Sequence, residues 1–165
     1  MLIRNSLIAL GLLFLTASCD KKRVFDDYKA FNGTWNKDSI VSFQFEQNDT
    51  VSPYNMFVNI RNNNNYPFNN IFLIVNLEQP DGVTVTDTLE YMMANPDGSL
   101  MGKGFSDVKE SKLWYKGFDG DYNFPKAGNY TVSIEQAVRK AGSIPGVEEL
   151  EGITEVGFRI ESKEE

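Results

Sequence analysis

Apolar and polar residues alternate along most of this chain with a period of two, the period of a β-strand that buries one face. Val41, Phe43 and Phe45 alternate with Ser42, Gln44 and Glu46. Tyr54, Met56, Val58 and Ile60 alternate with Asn55, Asn59 and Arg61, and Phe57 interrupts the polar side. Residues 71–77 are a nearly continuous apolar run, as expected of a central strand. Val83, Val85 and Leu89 continue the pattern, and residues 112–115 make a short candidate. Tyr130, Val132 and Ile134 form another stripe; Val156, Phe158 and Ile160 form the last, with Gly157, Arg159 and Glu161 opposite. Turn signals separate these runs: asparagines at 62–65 before Tyr66-Pro67, then Pro80-Asp81-Gly82, Asn95-Pro96-Asp97-Gly98 and Lys126-Ala127-Gly128-Asn129. Seven or eight such strands predict an all-β fold, an antiparallel β-sandwich, Ig-like or jelly-roll-like in outline. A short helical piece over 135–140 and a loop over 143–152 complete the expectation.

The N-terminus is of another kind. Arg4 precedes an apolar run at residues 7–15, and Thr16, Ala17 and Ser18 lead to Cys19, the only cysteine. A charged start, a short apolar stretch and small residues make a secretory signal. The run is short of the roughly 20 residues that span a bilayer. A cysteine at the cleavage point marks a bacterial lipoprotein signal, although Thr16 stands three residues before the cut where Leu is usual. Cleavage before Cys19 would leave its thiol lipidated and its amino group acylated. One acyl chain gives marginal membrane binding, at about 0.8 kcal/mol per buried methylene, whereas several chains anchor stably. The organisation expected is a removed signal peptide at 1–18, a lipidated cysteine and tether at 19–37, and one sandwich domain at 38–165. The tether carries Asp20, Lys21, Lys22 and Arg23, then Val24, Phe25, Tyr28, Phe31 and Trp35. Those apolar residues fit either a short helical turn or an extended arm that plugs the domain.

Loss of residues 1–18 removes Arg4 and leaves 147 residues with a formal charge of −8. Such a chain, without a basic cluster, is not expected to bind nucleic acid. Its acidity also argues against adhesion to anionic headgroups. The chain has no histidine, which removes the usual general base and the commonest zinc ligand. No enzyme activity, catalytic residue, cofactor or metal site is therefore expected. Asp119-Gly120-Asp121 offers too few oxygens for calcium and reads as a polar turn. Gly102-Lys103-Gly104 lacks the remainder of a phosphate-binding loop. Aromatic residues crowd the predicted loops. Most would close the ends of a sandwich, but Trp114, Tyr115, Phe118, Tyr122 and Phe124, with Tyr66, are the candidate partner-contact surface.

Taken in order, these pieces resemble the gliding-motility lipoprotein H (GldH) family of the Bacteroidota. The resemblance is carried by Cys19, Phe31, Trp35, Asn59-Ile60-Arg61-Asn62, Tyr66-Pro67, Thr88-Leu89-Glu90 and Gly102-Lys103-Gly104. It continues through Gly128-Asn129-Tyr130 and Glu135-Gln136-Ala137-Val138-Arg139. It closes on Gly152-Ile153-Thr154-Glu155-Val156-Gly157-Phe158-Arg159-Ile160-Glu161. The chain departs from the family pattern at Ser106 and in a longer loop over 143–150. The resemblance implies an outer-membrane lipoprotein required for surface gliding, in bacteria whose gliding apparatus shares components with a protein secretion system. It implies envelope proteins of that apparatus as partners, and the bilayer through acylated Cys19. Surface-exposed lipoproteins of this phylum typically carry acidic residues after the cysteine. Lys21-Lys22-Arg23 after Asp20 therefore implies a periplasm-facing domain. Asp38-Ser39-Ile40, Asp49-Thr50-Val51 and Asp87-Thr88-Leu89 match the short O-glycosylation signal of the phylum, making Ser39, Thr50 and Thr88 candidates. Two other functions fit the residues: a lipid-anchored carbohydrate- or peptidoglycan-binding module with aromatics around a groove, and a carboxylate-dependent hydrolase with two acids in a cleft.

Overall fold

The computed structural model describes residues 20–104 and 106–163; Cys19 and residues 1–18 lie outside the described residues. Ten strands follow one another: β1 (Arg23–Ala30), β2 (Thr34–Asn36), β3 (Val41–Gln47), β4 (Tyr54–Asn62), β5 (Asn70–Glu78), β6 (Thr84–Met92), β7 (Lys109–Lys116), β8 (Gly128–Gln136), β9 (Glu149–Glu151) and β10 (Ile153–Ser162). Two four-stranded antiparallel sheets pack face to face, a front sheet β1-β10-β4-β7 and a back sheet β3-β8-β5-β6. The β2-β9 pair closes the end where β1 finishes. The fold is the predicted all-β sandwich.

Period-two patterning decides which side chains enter the core. Val41, Phe43 and Phe45 point inward from β3, Met56, Val58 and Ile60 from β4, and Val156, Phe158 and Ile160 from β10. Phe45 lies at the centre of an aromatic slab. It stacks on Tyr130 at 5.6 Å, approaches Phe158 at 6.0 Å and meets Phe124 edge-on at 5.8 Å.

The leading segment is extended, the second of the two forms its aromatics allowed. β1 pairs with β10 along its length and inserts Phe25 beside Phe43, Phe45 and Phe158. Trp35 is fully buried in β2 and donates its indole N–H to the Ser39 carbonyl at 2.8 Å. Residues 23–36 are thus largely strands of the sandwich, and only residues 20–22 separate Cys19 from β1.

One local expectation changes. Residues 135–140 form no helical piece: Glu135 and Gln136 complete β8, and Ala137 N donates to the Phe72 carbonyl at 2.8 Å. Gln136 and Val138 keep the inward alternation of a strand, which a helical turn would rotate away. β5 is central, between β8 and β6, as its apolar run predicts. Ile71, Leu73, Val75 and Leu77 are buried, while Phe72 and Ile74 are half-buried on the outer face.

Candidate functional site

The outer face of the front sheet is built as tightly as a core. Cross-strand register puts Asp26, Arg159, Phe57 and Trp114 in one row across β1, β10, β4 and β7. The Arg159 guanidinium serves three carboxylates: Asp26 at 2.7 Å, Glu161 at 2.6 Å, and Asp20. Lys112 donates to Glu161 at 2.7 Å and lies 3.9 Å above the buried Phe57 ring. Burial opposes the charge on Glu161, but the bonds from Lys112 and Arg159 outweigh it and hold its carboxyl below the ordinary value. A hydrogen bond from Arg159 likewise lowers Asp20.

A second cluster lies beside the first. Arg61 donates to Glu110 at 2.5 Å and to Glu155, and its guanidinium carbon sits 4.4 Å from the centre of the Tyr28 ring. Asn59 donates to the Tyr28 hydroxyl at 2.8 Å. Opposite Tyr28 on β10 is Gly157, and the reason is steric: a Cβ there would stand 2.6 Å from two ring carbons. The ring lies on the backbone because no side chain intervenes.

The candidate contact aromatics divide. Trp114 and Phe118 are exposed, 39% and 68%, with ring centres 5.5 Å apart, and Trp114 backs onto Phe57 at 4.4 Å. Tyr115, Phe124 and Tyr66 are buried, and Tyr122 is half-buried against Phe124. Tyr115 donates to Asp87 at 3.0 Å and Tyr66 to the Asn70 carbonyl at 2.6 Å. Strand alternation causes the division, because neighbours 114 and 115 must face opposite sides of β7. Tyr66, Tyr115 and Phe124 fill the interior and present nothing to a partner.

Ser39 and Thr50 are exposed on the β2–β3 and β3–β4 loops, and Thr88 is exposed on the outer face of β6. Two of the aspartates before them serve the fold. The Ser52 side chain, with Ser52 N at 3.0 Å, Val51 N at 2.8 Å and the Tyr54 hydroxyl at 3.1 Å, bonds Asp49 and holds its carboxyl well below the usual range. Asp87 accepts from Tyr115 and, at 2.6 Å, from Lys116. In the predicted polar turn, Asp121 pairs with Lys163 at 3.0 Å. Three carboxylates that line surface depressions are similarly committed. Glu110 is held by Arg61, Glu148 by Lys37 and Glu149 by Asn36.

A sheet edge is the other place where a sandwich can meet a protein partner, and the free edge here is that of β6. Its register against β5 runs without a bulge from Thr84 to Met92. Gln79 N bonds the Val83 carbonyl and Met93 N bonds the Asn69 carbonyl, so the odd-numbered residues of the strand face β5. The backbone N–H and C=O groups of Thr84, Thr86, Thr88, Glu90 and Met92 therefore point outward from the sheet. β6 contains no lysine and no proline, the residues that commonly blunt an edge. β7 carries three lysines and a bulge, and β1 carries Arg23, Lys29 and a bulge. β3, the other edge of the back sheet, also lacks both residues but is two residues shorter.

A profile for the GldH lipoprotein family matches residues 23–160, from the start of β1 almost to the end of β10. The gliding motility lipoprotein GldH of Flavobacterium johnsoniae is 60% identical over 164 residues, covering 99% of this chain and 100% of that protein. A GldH homolog of Christiangramia forsetii is 51% identical over 152 residues, 92% of this chain and 91% of its own. Among solved structures, the VP2 subviral particle of infectious bursal disease virus is similar over 87% of this chain and 33% of that one, at 12% identity and a TM-score of 0.42, too slight a likeness to build on. The chain belongs to the GldH lipoprotein family.

Proposed function

We propose that this protein is a non-enzymatic outer-membrane lipoprotein, anchored through acylated Cys19 with its domain facing the periplasm. In this reading it is a structural or assembly component of the gliding-motility apparatus and of the secretion system associated with it. Family membership and the names of its relatives support the gliding role. The observation that carries an assembly role is the open β6 edge. Five residues there whose outward backbone groups have no partner among the described residues offer an extended segment of an envelope partner a ladder to join, and strand addition of this kind takes affinity from main-chain hydrogen bonds. The anchor confines the domain to the membrane plane and raises its effective concentration near such partners. The carbohydrate-binding alternative wants open ring faces around a groove, whereas Trp114 and Phe118 lie against each other.

Photo-crosslinking in the native host tests the edge. A photoreactive residue at Thr84 or Thr86 should give discrete adducts with envelope proteins, and Thr86→Pro, which removes one outward N–H at a position tolerant of proline, should abolish those formed from Thr84. Adducts from Gln44 on β3 alone, or adducts indifferent to Thr86→Pro, would move the contact off β6.

A further inference from the structure

We infer that the anchor end of the sandwich rests directly on the bilayer, with Trp114 and Phe118 seated at the lipid–water interface. The inference depends on lipidation at Cys19, one peptide bond from the first described residue. Asp20 is not on a free tether. Its carboxylate is bound by Arg159 on the outer face of the front sheet, and its carbonyl accepts from Arg23 N at 3.2 Å. The Lys22 carbonyl accepts from Ser162 N at 2.9 Å. Adjacent Cα atoms lie about 3.8 Å apart, so a lipid on residue 19 leaves the domain no length of chain with which to stand off the membrane.

The surface around that attachment point is one hydrogen-bonded unit. Lys163 N bonds the Pro53 carbonyl at 3.0 Å, and the Lys163 ammonium reaches the Gly120 carbonyl at 2.8 Å. Tyr54 N bonds the Tyr122 carbonyl at 2.8 Å, and Asn123 donates to the Val51 carbonyl. The β3–β4 loop, the β7–β8 loop and both ends of the described chain are therefore tied to one another by hydrogen bonds. This unit displays Val24 (50% exposed), Val51 (82%), Phe118 and Trp114. Among the described residues, Trp114 and Phe118 are the exposed aromatics, and Trp114 shares its row on the front sheet with Arg159, the residue that pins Asp20. Aromatic residues of this kind concentrate at headgroup level.

Lys21, Lys22 and Arg23 stand at the same place, exposed, and no carboxylate among the described residues forms an ion pair with them. Three cations suit the phosphates of headgroups, but the domain as a whole is acidic, so apolar contact and the lipid dominate the seat and salt should not release it. The strands then run away from the bilayer, with the Thr84 end of β6 at the membrane side and its Met92 end away from it.

The test uses the purified lipidated protein reconstituted in vesicles of phosphatidylcholine and phosphatidylethanolamine, with and without brominated acyl chains. Trp35 is fully buried, so Trp114 is the tryptophan that lipid can reach. In brominated vesicles the wild type should lose emission and shift to the blue, Trp114→Phe should show neither change, and raised salt should alter neither result. Full Trp114 emission in protein that carries the lipid by intact mass and floats with the vesicles would overturn the seating alone. A native protein whose mass shows no lipid would overturn the Cys19 assignment and the seating with it.

Discussion

Replacing Gly157 with alanine should destabilise the domain far more than a methyl group on a sheet surface normally does. In an ordinary strand position, glycine-to-alanine tends to stabilise, by roughly 0.5–1 kcal/mol. Here the new Cβ would stand 2.6 Å from the Tyr28 Cδ1 and Cε1 atoms, so the ring must leave the backbone it covers. Three contributions are then lost. The Asn59–Tyr28 hydrogen bond is worth about 1 kcal/mol. The Arg61 contact with the ring face adds about 0.5–1 kcal/mol. Asn59 is buried, and its Oδ1 already lacks a partner among the described residues, so losing the bond at Nδ2 strands a second polar atom at a further ~1 kcal/mol. Together these come to about 2–3 kcal/mol, a large share of the ~5–15 kcal/mol that holds a typical domain. Urea unfolding of the soluble mature domain, with Cys19 removed, measures the cost. Repeating it in a Tyr28→Ala background should reduce the cost to near zero, a coupling that a double-mutant cycle isolates. An equal cost with and without Tyr28, or no cost at all, would refute the steric argument.

Other outcomes can be read from the same domain. Glu161 is held below its ordinary value by Lys112 and Arg159, and Asp20 by Arg159, so the stability they contribute is present at neutral pH. It is lost as the pH falls through and below the ordinary values of 3.8 for Asp and 4.5 for Glu. Arg159→Met should therefore flatten the decline of urea midpoints on acidification. Phe45→Ala, at the centre of the aromatic slab, should cost about 3–5 kcal/mol in urea unfolding. For the modification sites, the intact mass of the native protein should exceed that of the lipidated chain by a glycan, and Thr50→Val should remove part of the excess. A native mass equal to the lipidated chain would end that proposal.

Much of the fold was legible because its strands bury one face each. Alternation marked the inward residues of β3, β4, β8 and β10 correctly, and the turn residues separated them. β1 was harder to read. Its inward Phe25 and outward Tyr28 are three apart, a spacing that puts them on opposite faces of a regular strand but on one side of a helix, and over so few residues the two patterns look alike. The continuous run in β5 marked a central strand correctly, and Phe72 and Ile74, which make the run continuous, are half-buried on its outer face. Composition placed aromatics near loops without showing that Tyr115 and Trp114 face opposite ways, although strict alternation in β7 carries that information. The ionic clusters were hidden for a physical reason. Asp20, Asp26, Glu161 and Arg159 come from the two ends of the chain, and only the pairing of β1 with β10 brings them together.

The most direct test of the account is deletion of the gene in its own host, complemented by wild type, Cys19→Ala or Thr86→Pro, with colony spreading and extracellular protein scored together. An anchored assembly component with a working β6 edge predicts that wild type restores spreading and that neither variant does, while Thr86→Pro still accumulates in the membrane. Full spreading with Cys19→Ala would contradict the anchor, and normal spreading in the deletion strain itself would contradict the gliding role.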